Sequence, residues 1–145
     1  MSEALSAQQQ KLLCSKLVIA VLATTDRQGK VNTAPMHLLW AKNERTILLC
    51  SAIRHRSSDN LKTQGRFSLS VMDEEDTAFS VLGSAKLLRQ PMEANAHMAL
   101  FHLAVEEVKS DTAPTLEVIK RVQTRQRNEK VAAFFEACFS EMSDI

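Results

Sequence analysis

The residues best suited to chemistry lie in a short basic turn, Arg54-His55-Arg56-Ser57, which directly precedes a predicted helix. Helix N-termini favour anions because free N–H groups and the positive end of the helix dipole point outward there. Arginine adds planar, bidentate contacts to phosphate. The turn therefore predicts a phosphate site and a phosphorylated ligand. The alternative is a solvated basic turn that binds nothing.

Composition narrows the classes of function. The chain has 145 residues, of which 45% are hydrophobic and 24% charged, as in an ordinary globular domain. A net charge of +1 argues against a general nucleic-acid binder. No apolar run approaches the roughly 20 residues that span a bilayer, and the N-terminus lacks a signal-peptide pattern. We therefore expect a cytoplasmic protein that binds neither membrane nor nucleic acid.

The cysteines argue against a metal site. Cys14, Cys50 and Cys138 are widely spaced and form no paired motif. Zinc sites need clustered Cys and His ligands, so we expect no metal. The three residues are typical of reduced, mostly buried thiols in a cytoplasmic protein.

The elements that must position the basic turn are mostly strands. Apolar alternation and turn residues predict an α+β protein, a six-stranded antiparallel barrel with peripheral helices, in a single domain over residues 1–145. Gly83 within a strand predicts a bend or a close approach by other atoms. The predicted strands cover residues 18–25, 30–41, 46–52, 66–72, 78–88 and 100–108.

Helices are predicted at the edges of this barrel. A helix over 6–16 precedes the first strand, and a helix over 57–64 begins with Ser57 or Ser58 as its cap and ends at Gly65. Pro91 opens a short helix to about residue 99. Beyond Pro114 the apolar residues follow a helical period, so we predict a helical C-terminal extension from about residue 113. The acidic run 73–76 is interpreted as a solvated hairpin tip.

Five motifs in order, between Leu12 and Val108, resemble the pyridoxamine 5′-phosphate oxidase-like, FMN-binding split β-barrel family. The resemblance implies a homodimer with two FMN molecules at the subunit interface. The motifs are Leu22-Ala23-Thr24-Thr25-Asp26 with Gly29, Ala34-Pro35-Met36 leading to Trp40, Ser51 with the basic turn, Asn60-Leu61, and Val81-Leu82-Gly83-Ser84-Ala85.

The resemblance also implies which residues contact the cofactor. One group starts at Pro35 within the second predicted strand and lies along the flavin ring or just beyond it. The other group lies beside the ribityl phosphate or binds it. The first group is Pro35, Met36, His37, Leu38 and Trp40; the second is Cys50, Ser51, Arg54, His55, Arg56 and Ser57.

Two departures from the family pattern narrow the functions that the resemblance implies. A lysine often found in the turn is replaced, with Ser57 at its place and Arg56 beside it. The C-terminal Trp-Arg-Leu segment by which true pyridoxamine phosphate oxidases grip substrate is absent, so that reaction is not implied. We expect an FMN-dependent oxidoreductase acting on a small molecule, with a nicotinamide as one candidate reductant. Haem binding, or a cofactor-free dimer with a binding or regulatory role, are the alternatives.

For several of these residues a structural role is the alternative to cofactor binding. His37 and Trp40 can be core residues, and Cys50 can be a small hydrophobe in a strand. The basic residues of the C-terminal segment can form a solvated face. No catalytic residue can be assigned from spacing, as is common where a flavin carries the redox chemistry. The aromatic run 134–139 predicts that the tail packs on the barrel or on a partner subunit near the flavin.

Overall fold

The computed structural model describes residues 1–145 as an α+β protein with three helices and seven strands. None of the helices is both long and apolar enough to cross a membrane. In chain order the elements are α1 (Ala7–Leu13), β1 (Ala20–Thr25), β2 (Val31–Met36), β3 (Leu39–Asn43), β4 (Thr46–Ala52), α2 (Arg56–Gln64), β5 (Arg66–Asp73), β6 (Thr77–Arg89), β7 (Met98–Ser110) and α3 (Glu129–Ser143).

All strand pairs are antiparallel, in the order β2-β1-β5-β6-β7-β4-β3. β2 and β3 lie at opposite edges of this sheet, yet only His37 and Leu38 separate them in the chain. Three Cα–Cα steps span at most about 11 Å, so the sheet must curl until its two edges meet. The result is a split barrel, as predicted. We call the junction at His37 and Leu38 the seam.

The seam explains why the barrel has seven strands rather than the predicted six. The predicted strand 30–41 is two strands, because its halves have different neighbours. Met36 at the end of β2 pairs with Ala20 of β1, whereas Leu39 at the start of β3 pairs with Leu49 of β4. A continuous strand cannot serve both partners without a break between them.

The inside of the barrel holds the main core of 22 buried residues. Alternate side chains of each strand point inward, for example Leu22 on β1, Leu69 on β5 and Leu103 on β7, all fully buried. Leu61 of α2 joins this cluster, so α2 packs on the barrel through an apolar contact. Each such side chain contributes about 1.5–3 kcal/mol by leaving water.

Gly83 marks a close approach, as predicted. A Cβ atom at this position would lie 1.8 Å from the carbonyl oxygen of Ala104 and 3.0 Å from the ring of Phe67. The register between β6 and β7 shifts between Leu82 and Gly83. Only glycine lets β6 and β7 approach each other at this bulge.

A second core lies outside the barrel, where α3 covers the outer face of β3, β4 and β7. Glu141 of α3 is also buried and accepts hydrogen bonds from Arg89 Nη1 at 3.0 Å and from the backbone N–H of Ala94 at 2.5 Å. These contacts anchor α3 to the connection between β6 and β7. We call this cluster the outer core; its members are Leu38, Leu48, Cys50, Met92, Met98, Leu100, Cys138, Phe139 and Met142.

Two helix predictions are wrong. Residues 91–97 form turns rather than a helix, because Met92 N–H donates to the carbonyl of Met98 and closes the connection into β7. The C-terminal extension is not helical from residue 113. Its helix begins at Glu129, where Asn128 Oδ1 accepts a hydrogen bond from Val131 N–H at 3.0 Å.

The segment 111–128 runs without helix or strand because it binds the β5–β6 hairpin instead. Asp76 N–H donates to the carbonyl of Val118 at 2.8 Å, and Arg121 pairs with the buried Asp73 at 2.7 Å. The acidic hairpin tip is therefore partly neutralised rather than simply solvated. The apolar side chains that suggested a helix point into solvent: Leu116, Ile119 and Val122 are 78%, 70% and 67% exposed.

Candidate functional site

The basic turn forms the N-terminus of α2, but its cap differs from the prediction. His55 is the cap residue, and its Nδ1 accepts a hydrogen bond from Ser57 N–H at 3.1 Å. Ser57 and Ser58, the predicted caps, are both buried. The prediction failed because serine is a commoner cap than histidine. Gly65 ends the helix at φ 65°, as predicted.

The buried hydroxyl groups instead fasten α2 to the barrel. Ser58 Oγ donates to the carbonyl of Ala52 at 2.6 Å and lies 2.9 Å from Ser51 Oγ at the end of β4. Ser57 Oγ accepts a hydrogen bond from Asn32 Nδ2 of β2 at 3.2 Å. These hydrogen bonds fix the turn to β2 and β4, so the turn is rigid.

Two asparagines complete this attachment. Asn60 Nδ2 donates to Thr24 Oγ1 of β1 at 3.1 Å, and both residues are buried. Asn32 lies on the same side of β2 as the buried Ala34 and Met36. Asn32 was missed from the sequence, although a polar residue on the apolar side of a strand is a signal that a partner is needed.

The outer surface of the turn carries unpaired positive charge. Arg54 and Arg56 are not buried, and neither has a carboxylate within 4.0 Å. The backbone N–H groups of Arg56 and Ser58 donate to no acceptor in the chain. The two guanidinium groups and the free N–H of the exposed Arg56, at a helix N-terminus, can bind an anion.

The other candidate residues lie elsewhere on the barrel. Leu38 and Cys50 are buried in the outer core, and Trp40 packs against it. Cys50 and Ser51 are neighbours on β4 and therefore point to opposite faces, so only Ser51 lies beside the turn. The structure does not bring the side chains of Leu38, Trp40 or Cys50 to the basic turn.

Residues 35–37 alternate between the two faces of the barrel wall, and Leu38 breaks the alternation because it lies in the outer core beside His37. Met36 points into the main core, whereas Pro35 and His37 are exposed. His37 lies at the seam, and its ring stacks on Phe135 of α3 with a centroid distance of 4.8 Å and an interplanar angle of 29°. Partial burial lowers the pKa of His37 because an imidazolium loses solvation there.

A groove of about 760 Å³ lies away from these residues. It is formed between α1 and the β5–β6 hairpin and is lined by polar side chains such as Gln9, Lys11 and Ser110. The structure has no group of three or more His, Cys, Asp or Glu side chains that could hold a metal ion. The chemically distinctive surface of the single chain is thus the basic turn.

Comparisons with known proteins agree with the split-barrel class. A family model described as pyridoxamine 5′-phosphate oxidase matches residues 6–131. The chain therefore belongs to the pyridoxamine 5′-phosphate oxidase family. No curated protein matches the sequence.

Solved structures share the fold at low sequence identity. HupZ from Group A Streptococcus has a TM-score of 0.63 and 18% identity, covering 75% of this chain and 96% of its own. A Lactobacillus delbrueckii protein, provisionally described as a pyridoxamine 5′-phosphate oxidase, has a TM-score of 0.64, 20% identity and the same coverage. HutZ from Vibrio cholerae, named as a heme storage protein, has a TM-score of 0.57 and 15% identity, covering 72% and 93%.

Proposed function

We propose that this protein is a homodimeric FMN-binding flavoprotein that acts as an oxidoreductase on a small molecule, with the FMN phosphate bound at the basic turn. The observation that carries the proposal is the unpaired positive charge of Arg54 and Arg56 at the N-terminus of α2. Membership of the family supports the choice of FMN among phosphorylated ligands.

The residues present fit a ribityl phosphate. Arginine side chains and free N–H groups are donors only, so a dianionic phosphate satisfies them without competition from a nearby carboxylate. Asp59, the acidic residue of the first turn, lies 3.8 Å from Lys62, and the two form an ion pair. The lysine that the family often carries in this turn is replaced by Ser57, and Arg56 beside it supplies the charge.

The flavin ring is proposed to lie along the end of β2 and the seam, near Pro35 and His37. When bound, FMN supplies the redox chemistry, namely the transfer of electrons to or from the substrate. This chain would hold the phosphate, orient the ring along the barrel wall and exclude water from one side of it.

A surface with few charges beside the turn supports the dimer, since its one charged side chain, Arg66 at the start of β5, pairs with Glu106 at 2.9 Å. The outward-facing side chains of β1, β2 and β5 include three exposed apolar groups: Val21, Val31 and Met72 are 41%, 64% and 57% exposed. Exposed apolar surface of this kind is typical of protein interfaces. We call it the open face; its other members are Ala23, Thr25, Thr33, Pro35, Arg66, Ser68 and Ser70.

The phosphate assignment is tested by comparing FMN with riboflavin, which lacks the phosphate. Each charge-assisted hydrogen bond contributes about 1.5–3 kcal/mol. The double variant Arg54→Ala/Arg56→Ala should therefore bind FMN at least about tenfold more weakly, while riboflavin binding stays nearly unchanged. Quenching of flavin fluorescence measures both dissociation constants.

The matched control is Arg125→Ala/Arg127→Ala. These two arginines are exposed and have no ion pair, so the variant removes the same charge from another place. It should bind FMN as the parent protein does. Equal weakening of FMN and riboflavin by the turn variant, or no weakening of either, would contradict the assignment.

Haem binding is the second candidate, favoured by the fold shared with HutZ, the heme storage protein. Two of the four histidines are already engaged, since His37 stacks on Phe135 and His55 Nδ1 caps α2. The visible spectrum of the purified protein separates the candidates. Bands near about 370 and 450 nm support FMN, a Soret band supports haem, and no chromophore supports a cofactor-free binding or regulatory dimer.

A further inference from the structure

Two buried cysteines meet across the outer core. Cys50 lies on β4 and is 3% exposed, and Cys138 lies on α3 and is fully buried. Both belong to the same packed cluster between α3 and the sheet, and each thiol shifts the pKa of the other, so the two are neighbours. The third thiol is separate, since Cys14 donates to the carbonyl of Ala41 at 3.1 Å.

We propose that Cys50 and Cys138 form a disulfide that fastens α3 to β4 when the protein is exposed to a peroxide. The two residues are far apart in sequence, and their thiols meet where α3 packs on the sheet. The bond would therefore convert a noncovalent contact between α3 and the barrel into a covalent one.

The reaction balances with hydrogen peroxide as the oxidant. One thiolate attacks the peroxide, the O–O bond breaks, an S–O bond forms, and water leaves, which gives a sulfenic acid. The second thiol then attacks the sulfenic sulfur, forming the S–S bond and releasing a second water. Two thiols and one peroxide thus give one disulfide and two waters.

The reaction needs α3 to lift from the barrel first. Both thiols are buried, at 3% exposure for Cys50 and 0% for Cys138, so peroxide cannot reach them in the closed state. The neighbouring Cys138 thiol and burial raise the pKa of the Cys50 thiol, whereas Cys50 lowers the pKa of the Cys138 thiol. The residues before α3 permit such a movement, since residues 122–128 are exposed and make no hydrogen bond to the barrel. Local opening of a terminal helix costs less than global unfolding.

The oxidation state of Cys50 and Cys138 would then control how firmly α3 is attached to the barrel. With free thiols, α3 is retained by noncovalent contacts, among them the outer core, Glu141 and the stack of Phe135 on His37. With the disulfide formed, α3 stays over Leu38 and its Phe135 stays on His37 at the seam. The state of the two thiols then decides whether the seam can be uncovered.

The test treats the full-length protein with hydrogen peroxide and maps its tryptic peptides by mass spectrometry. Cys50 falls in the peptide 46–54, Cys138 in 131–145 and Cys14 in 12–16. We expect an intramolecular link between the first two peptides, while the third keeps its free thiol. The melting temperature should rise by about 5 °C or more, because the bond closes a long loop.

Two variants separate the proposal from general oxidation. Cys14→Ser should give the same link, since Cys14 takes no part. Glu141→Gln weakens the anchor to Arg89 and should speed the formation of the link at least about threefold. The alkylation rate of Cys14 should be the same in Glu141→Gln as in the parent, because global unfolding would expose that thiol as well.

Three results would overturn the proposal. They are a link that includes Cys14, a link between two chains, and persistence of free or over-oxidised thiols at Cys50 and Cys138 without any link. None of these results bears on FMN binding, so the disulfide and the cofactor site are tested independently.

Discussion

At the scale of single residues, His37 has the most unusual environment in the chain. It lies at the seam, where part of the residue is exposed and its ring is covered by Phe135. Removal of water from one face of the ring penalises the imidazolium, which lowers the pKa of His37 below its ordinary value. The neutral ring is therefore the form that the fold favours.

The pH dependence of stability follows from this shift. Because the pKa of His37 is lower in the folded than in the unfolded chain, the unfolded chain binds more protons as pH falls below about 6.5. The neutral ring therefore adds to the free energy of unfolding above that pH. This contribution is lost as the pH falls toward the pKa of His37 in the folded chain. An NMR titration of His37 should show a midpoint below about 6.5.

The cause is tested by uncovering the ring. Phe135→Ala should move the midpoint of His37 back toward the ordinary histidine value. Phe134 contacts Phe135 rather than His37, at a centroid distance of 5.8 Å from the Phe135 ring, so Phe134→Ala is the control. An unchanged midpoint in Phe135→Ala would show that another group lowers the pKa.

The sequence predicted the chemistry of single residues better than their partners. The basic turn at Arg54–Ser57 was recognisable because arginines before a helix have one obvious use. That His55 caps the helix, and that Ser57 and Ser58 are buried, depends on partners outside the helix, among them Asn32 and Ala52. Hydrogen bonds to other elements leave no local pattern.

At the scale of elements, the burial of side chains along α3 distinguishes the part of the tail that belongs to the outer core. The prediction that the aromatic tail packs on the barrel is confirmed, but the burial is uneven. Phe139 is 4% exposed and lies in the outer core, whereas Phe134 and Phe135 are only partly buried. The half of α3 next to the C-terminus therefore holds the helix in place.

Two substitutions compare the halves of this helix. Phe139→Ala should lower the free energy of unfolding by about 3–5 kcal/mol, as for a core phenylalanine. Phe135→Ala should cost clearly less, about 1–2 kcal/mol, since part of its ring already faces solvent. Urea denaturation measures both. Equal losses, or a larger loss at Phe135, would contradict the assignment of Phe139 as the anchor.

Element boundaries were predictable where apolar runs or turn residues mark them locally. The strand 46–52 and the end of α2 at Gly65 agree with the structure, because apolar runs and glycine are local signals. The break at the seam and the unwound segment 111–128 were not predictable. In both places the chain follows a backbone partner, β4 or Asp76, that the local sequence does not reveal.

At the scale of the whole molecule, one side of the barrel is covered by another part of the chain and the other side is not. α3 covers the outer face of β3, β4 and β7, whereas the open face on β1, β2 and β5 has no cover within the chain. This uncovered face has one charged group, Arg66, which is already paired with Glu106. It lies next to the basic turn, and it is where we expect a second copy of the chain.

The dimer is predicted to bury well above the roughly 1,000 Å² expected of a biological interface. A charge in the middle of the open face should oppose it, so Val21→Glu should shift sedimentation from dimer to monomer at micromolar concentration. Ala133→Glu places the same charge on an exposed position of α3 and should leave the dimer intact. A monomeric parent protein that still binds flavin would contradict this prediction.

The strand order also constrains how the barrel is completed as the chain leaves the ribosome. The β3–β4 hairpin has no other sheet partner than β7, so the second edge of β4 stays open until residues such as Ala104 pair with it. Pairings so distant in sequence close slowly, because loop entropy opposes them. Until β7 emerges, a nascent chain carries the apolar residues 47–50 on a strand with one open edge. Synthesis that stalls before residue 98 would therefore produce an aggregation-prone chain. A chain that ends after residue 110 has all seven strands and lacks the segment 111–128 and α3.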